Sequence, residues 1–321
     1  MAISTEALSI VPLHACLGAR VDGVDLTRPL SDTTFRRIAE AFDEFSVLVF
    51  HDQRLTDAQQ KAFSERWGPL ENTIVSPGQE ARYDPKLVDL SNADPDHGGL
   101  MDWSDRRMMY QSGNQLWHTD SSFKPVPAHS SALSGREIPP VGGETEFVSM
   151  RHAYAGLSDE VKARLEGKVA VHSIIYSRSL IAKDLFDPEQ AAALPAVRHA
   201  LVRSNPAHGR KTFYIGSHAW FIEGLPYDEG RRLLDELLAL TTAPERVYRH
   251  VWKQWDLVMW DNRCVLHRGR PWDSARYPRI MRRTTVAGEG PTAPHLPDPI
   301  VRPATEADIA WGRAQLEVVP A

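Results

Sequence analysis

The chain has 321 residues, 25% of them charged and 42% hydrophobic, and its 42 acidic against 37 basic side chains give a net charge of -5. No basic tract follows a phosphate backbone and no apolar run approaches the ~18 residues of a membrane span, so neither nucleic acid nor membrane is an expected partner. A chain of this length buries enough surface to fold without disulfides or a structural metal, and Cys16 and Cys264 are too few for a disulfide framework or a thiolate zinc site.

The first residues carry no basic region followed by a long apolar stretch, so the expected location is cytoplasmic. Ser31 and Asp32 can cap a helix whose apolar positions Phe35, Ile38, Phe42 and Phe45 share a face, and residues 46–50 then read as a buried strand. Thr56 and Gln59 have capping-box spacing ahead of a second helix that ends by Gly68-Pro69. From 71 to 112 turn residues such as Pro77-Gly78 and Gly98-Gly99 dominate with little period, which predicts a long lid or binding loop. Short apolar stretches follow at 130–134, 144–148, 169–176, 200–203, 212–215, 248–252, 257–260 and 282–286. Their number and shortness favour an antiparallel sandwich or barrel over a parallel sheet. Two helices interrupt them, one capped by Ser158 and closed by Gly167, the other carrying Leu233, Leu234, Leu237 and Leu238. Residues 181–199 read as a mobile insertion, and no repeat or linker divides the chain.

Thirteen histidines and nine tryptophans direct attention to a metal centre in an aromatic-rich pocket. In Trp117-His118-Thr119-Asp120, residues two apart on an extended strand face the same way, so His118 and Asp120 can present an imidazole and a carboxylate to one point. Taken alone, the pair reads more readily as a satisfied strand edge than as two ligands. His267, which follows a strand-like stretch, is the candidate third ligand. Two histidines and one carboxylate form the facial set of non-haem iron(II) sites, which leaves open positions for co-substrate and oxygen. Cys264 has no evident partner base and reads as core packing, as do Trp117 and Trp260 beside the metal.

In order along the chain, VDGVDLTRPLSD, SVLVFHDQ, NQLWHTDSSF, VGGETEF, LVMWDNRCVLHRGR and RIMRRTTVAG resemble the iron(II)- and 2-oxoglutarate-dependent dioxygenases of the taurine and 2,4-dichlorophenoxyacetate (TauD/TfdA) family, and the aryloxyacetate branch in particular. The resemblance implies His118, Asp120 and His267 as iron ligands, and Arg279 and Thr145 as contacts to 2-oxoglutarate. It also implies Arg283, Asn114 and His218 as contacts to the primary substrate. Relative to the common family spacing the chain carries one more residue between His267 and Arg279, so Arg276 remains the alternative. The implied fold is α+β: a double-stranded β-helix (jelly roll, cupin-like) with flanking helices. It would form a single domain over 1–321, with N-terminal α/β elements to about 70, the lid loop at 71–112, the core at 113–290 with its insertion, and a tail from 291.

The implied activity is hydroxylation of a small anionic organic substrate, with 2-oxoglutarate and O2 consumed and succinate and CO2 released. An aryloxyalkanoate is the leading substrate, hydroxylated to a hemiacetal that collapses to a phenol. A sulfonate, an alkyl sulfate or an acylated amino acid is the alternative, since the 71–112 loop departs from the aryloxyacetate branch and holds Lys86 as its only lysine. A redox-inert cupin-type metal enzyme and a non-catalytic binding barrel are the competing classes. The first would not need the Thr145 and Arg279 contacts, and the second would not need three metal ligands. A homo-oligomer is compatible with the sequence.

Overall fold

Alternation along one central strand organises the molecule. In the computed structural model, which describes residues 8–72, 84–94, 98–101, 103–182, 185–293 and 305–316, the strands in chain order are β1 (Ser9–Pro12), β2 (Ala19–Asp22), β3 (Val47–Phe50), β4 (Val88–Ser91), β5 (Ser130–Glu137), β6 (Thr145–Ser149), β7 (Val169–His172) and β8 (Val197–Ala200). They continue with β9 (Val202–Ser204), β10 (Lys211–Phe213), β11 (Ala219–Ile222), β12 (Tyr248–His250), β13 (Leu257–Asp261), β14 (Val265–Gly269) and β15 (Ile280–Val286). The helices are α1 (Asp32–Phe45), α2 (Asp57–Glu65), α3 (Arg106–Ser112), α4 (Met150–Ala155), α5 (Asp159–Leu165), α6 (Ile174–Ser179), α7 (Pro188–Ala192), α8 (Tyr227–Thr241) and α9 (Glu306–Gln315). None is long and apolar enough to cross a membrane.

A seven-stranded sheet runs β1-β2-β3-β13-β5-β15-β4, antiparallel except for the β2–β3 pair. Strand residues alternate between faces, so Leu257 and Met259 of β13 pack with Ile38, Phe42 and Phe63 of α1 and α2. Val258 and Trp260 point the other way and share a core with Phe147 of β6 and Val265 of β14. Those two strands belong to a second sheet, β12-β6-β14. Behind it, Val148 and Leu266 meet Phe213, Leu234 and Leu237, which seats α8 and strand β10 against its outer face. The architecture is thus a strand-rich α+β assembly in which two sheets pack across a common core.

Both leading helices begin where local chemistry dictates. The Ser31 side chain accepts from the Thr34 N–H, and Thr56 and Gln59 close a reciprocal capping box. Other expectations change. The stretch 169–176 is strand only to His172, because the Ser173 hydroxyl caps α6 by accepting from the Tyr176 N–H at 3.1 Å. The end of the 181–199 segment is β8, paired with β7, and α7 precedes it. Within 71–112, β4 adds to the edge of the large sheet beside β15, and Asp105 caps α3; Pro77-Gly78 lies outside the described residues. Most of the tail from 291 also lies outside them, apart from 291–293 and 305–316, which include α9.

Asp261, at the end of β13, is fully buried and takes two N–H groups of the Arg263 guanidinium at 2.8 and 2.9 Å. Burial opposes its charge, but Arg263 prevails and holds the carboxyl at about 2. A depressed carboxylate contributes stability above its ordinary value that is lost as pH falls from about 4 toward 2, on the order of 2–3 kcal/mol. Asp261→Asn should therefore unfold at lower temperature at pH 7 and show a flatter loss of stability between pH 4 and pH 2. Parallel acid limbs in variant and wild type would remove this pair from the pH dependence.

Candidate active site

His118 is set by backbone pairing. Its N–H donates to the His267 carbonyl at 3.0 Å and the His267 N–H donates back at 2.8 Å, a two-residue bridge that joins the segment after the Gly113–Gln115 turn to β14. Asp120 follows in a turn rather than on a strand, so the same-face argument holds for extended backbone and not for a sheet ladder. The three side chains nevertheless converge. One ligand atom from each of His118, Asp120 and His267 lies within 4.8 Å of the others, and this is the one such grouping among the described residues.

The donor set fits a metal ion. The His118 Nδ1–H donates to the Leu116 carbonyl at 2.8 Å, which leaves its Nε2 lone pair free. Burial holds His118 down to about 4, so at neutral pH it is the uncharged ligand form, and burial pushes His267 down as well. Burial would raise Asp120, yet Arg283 and the two imidazoles bring it to about 2 and keep it ionised. An outer layer orients that carboxylate. Ser131 Oγ donates to Asp120 Oδ2 at 2.7 Å, and the Arg283 Nη1 pairs with Oδ1. Asn262 Oδ1 accepts from the Asp120 N–H at 3.2 Å and from Trp260 Nε1 at 2.9 Å, while its amide donates to Ser131 Oγ at 2.9 Å.

Beside the ligands lies a cavity of about 80 Å³ into which Thr145, Arg279, Arg283 and Asn114 open. Thr145 stands on β6 with its Oγ1 accepting from Trp252 Nε1 at 3.0 Å. Arg279 precedes β15 in the large sheet, whereas His267 is on β14 in the small one, so the two reach the cavity from facing sheets and not from adjacent strands. The Arg279 backbone N–H donates to Asn92 Oδ1 at 2.7 Å, its Nε donates to the Gly143 carbonyl at 3.2 Å, and the guanidinium lies 5.3 Å from the Trp272 ring centre. No carboxylate lies within 4 Å of it among the described residues, and burial lowers it to about 10 against the raising influence of Glu144. Arg276 is exposed, over the Tyr277 ring, and does not line the cavity.

Besides its bond to Asp120, Arg283 has a buried Nε without a partner among the described residues. Asn114 accepts from Arg178 Nη2 at 3.1 Å, which leaves its own amide N–H groups to donate. His218 is buried against the metal ligands, its ring 6.1 Å from that of His118 and its Nδ1 2.8 Å from Ser177 Oγ, and it does not line the cavity. Cys264 is buried as a thiol pushed up to about 12, in keeping with core packing. Sequence reasoning missed Asn262, Asn92 and Arg178. The last is a buried guanidinium over Tyr110 whose Nε and Nη1 have no partner among the described residues, and Gly113 admits it, since a Cβ there would stand 2.4 Å from Nη1. It also missed the apolar wall supplied by the 71–112 segment: Leu90, Trp103 and Met108, which face Leu133, Trp260 and Trp272.

Comparison with known proteins agrees with this geometry. The family model described as taurine catabolism dioxygenase TauD, TfdA family matches residues 9–285. An alpha-ketoglutarate-dependent 2,4-dichlorophenoxyacetate dioxygenase of Cupriavidus pinatubonensis is 44% identical over 277 residues, 86% of this chain and 96% of that one. An (S)-phenoxypropionate/alpha-ketoglutarate-dioxygenase of Sphingobium herbicidovorans is 39% identical over 293 residues, covering 89% and 96%. The crystal structure of AAD-2 in complex with Mn(II) and N-oxalylglycine superposes with a TM-score of 0.82 at 43% identity, over 90% of this chain and all of that one.

Proposed function

The chain belongs to the TauD/TfdA dioxygenase family, and from that premise we propose that it is an iron(II)- and 2-oxoglutarate-dependent dioxygenase that cleaves aryloxyalkanoic acids. Iron held by His118, Asp120 and His267, with 2-oxoglutarate and O2, supplies the oxidising power: the keto acid leaves as succinate and CO2, and one oxygen atom enters a substrate C–H bond. On an ether carbon the product is a hemiacetal, which collapses to a phenol and a carbonyl acid.

The protein's own residues do the positioning. Arg279, a buried cation without a carboxylate partner among the described residues, is suited to the distal carboxylate of 2-oxoglutarate, with the Thr145 hydroxyl beside it. Arg283 opens into the same cavity and is suited to the carboxylate of the primary substrate, with Asn114 donating alongside; Arg178 steadies Asn114. The observation that carries the aryloxy reading is that these arginines share their cavity with three tryptophans, Trp103, Trp260 and Trp272, an apolar wall for a ring. We read the two sheets as halves of a double-stranded β-helix within one domain, and a cytoplasmic enzyme acting on a small diffusible acid completes the proposal.

Succinate release across aryloxyacetates, aryloxypropionates, sulfonates and alkyl sulfates tests it. Turnover with phenol formation should be greatest on an aryloxy acid; turnover on a sulfonate or sulfate alone would overturn the substrate. In Arg283→Ala, substrate affinity should fall by about tenfold or more, as expected when a charge-assisted contact worth 1.5–3 kcal/mol is lost. The ratio of succinate to phenol should rise as co-substrate consumption uncouples. Arg283→Lys should recover part of the loss, because a point charge replaces a fork. An unchanged ratio with unchanged affinity would remove Arg283 from the substrate site.

A further inference from the structure

A second cavity, of about 330 Å³, shares no lining residue with the first. This volume is in the range of small-molecule sites, roughly 300–1,000 Å³. Its walls come from the segment before β5, the start of α4, the β9–β10 hairpin, the β13–β14 turn and the residues after β15.

Four arginines line it: Arg151, Arg203, Arg210 and Arg263. Two are neutralised, Arg263 by Asp261 at 2.8 Å and Arg210 by Glu44 at 3.0 Å. Arg151 is held by neutral acceptors, the backbone carbonyls of Asp43 and Glu44 at 2.8 and 2.5 Å. Arg203 lies 4.4 Å from the Tyr214 ring centre and has no carboxylate within 4 Å among the described residues; its Nη1 is buried without a hydrogen-bond partner. The single carboxylate in the lining is Glu289, which is exposed. Asp43 also approaches Arg263, at 3.5 Å, so the cluster is balanced as a whole and its uncompensated positive charge is local to Arg203 and Arg151. His208 registers the same field, for Arg210 and Arg151 reinforce burial in lowering its imidazole.

The remaining wall is apolar, with Pro127, Ala128, Pro206 and Pro291. We propose that this cavity is a binding site for a small organic monocarboxylate, its head on Arg203 and Arg151 and its body against the prolines. The guanidiniums suit a carboxylate head, and the apolar wall gives a hydrocarbon body a place that inorganic phosphate cannot use. The site lies away from the metal ligands. It meets them indirectly, since Arg263 and Cys264 follow Asn262, which holds the Asp120 N–H.

Calorimetric titration of the full-length protein with benzoate and, separately, with inorganic phosphate tests this, in wild type and in an Arg283→Ala background that removes the arginine proposed for the other cavity's substrate. Benzoate should bind in both backgrounds, at least tenfold more tightly than phosphate. Adding Ser204→Glu, an exposed position on the rim, should weaken benzoate tenfold or more without changing the unfolding temperature, and Arg203→Gln should do the same. Ser204→Glu alone should leave 2-oxoglutarate turnover unchanged. The proposal is overturned if no benzoate binds in the Arg283→Ala background, if phosphate binds as tightly, or if Ser204→Glu leaves the benzoate affinity intact.

Discussion

His118→Ala, Asp120→Ala and His267→Ala should each lose iron(II) at concentrations that saturate the wild type, with succinate formation falling in proportion, while far-ultraviolet dichroism stays native. Removing a group that merely orients a ligand costs about 10–100-fold in metal affinity, and removing the ligand itself should cost at least the upper end of that range. The fold should survive because the His118–His267 bridge is made by backbone atoms that alanine keeps, and the flanking cores, which His267 touches through Trp260 and Phe147, are built mainly from apolar side chains. The aspartate differs in one respect. Its removal leaves Arg283 part-buried with no carboxylate partner, and breaking such a pair costs up to about 3–5 kcal/mol. Asp120→Ala should therefore melt below both histidine variants, and Asp120→Ala with Arg283→Ala should recover part of the deficit. Asn262→Ala, which removes the acceptor of the Asp120 and Trp260 N–H groups and the donor to Ser131, should fall between these and wild type in iron affinity. Full iron content and turnover in any one of the three ligand variants would break the triad.

The metal ligands were legible because their signal is local or nearly so: His118 and Asp120 stand two apart, and His267 follows a five-residue strand of buried side chains, β13, by a short turn. Capped helices were legible for the same reason, since Ser31, Thr56 and Ser158 act on backbone groups three residues away. What stayed hidden depends on partners far along the chain. Asn262 acquires its role from residues more than 130 positions earlier, Asn92 from a backbone N–H at 279, and Arg178 from a glycine that makes room for it. The lid segment misled by its turn residues: a four-residue strand and a seven-residue helix are too short for a period to register, yet they build the apolar wall. The Val169–His172 strand was overextended because a β-branched run continues past Ser173, where a single hydroxyl redirects the backbone.

Arg279→Ala should raise the 2-oxoglutarate concentration needed for half-maximal turnover by roughly 30- to 4,000-fold, the equivalent of the 2–5 kcal/mol lost when one partner of a buried charge pair is truncated. Substrate affinity, measured with the keto acid saturating, should move far less, which separates this arginine from Arg283. Arg279→Lys should recover little, because the planar fork set by the Gly143 carbonyl and the Trp272 face has no counterpart in an ammonium. Arg276→Ala should stay within about threefold of wild type, as expected for an exposed side chain; an exchange of the two results would make Arg276 the ligand. One further change acts on Arg279 without touching its chemistry. Gly143 sits at φ +72, and a Cβ there would stand 3.0 Å from the Arg279 Nε, so Gly143→Ala should displace the guanidinium and raise the 2-oxoglutarate requirement with little effect on the substrate. A 2-oxoglutarate requirement that stays at the wild-type value in Gly143→Ala would show that the guanidinium does not depend on this contact.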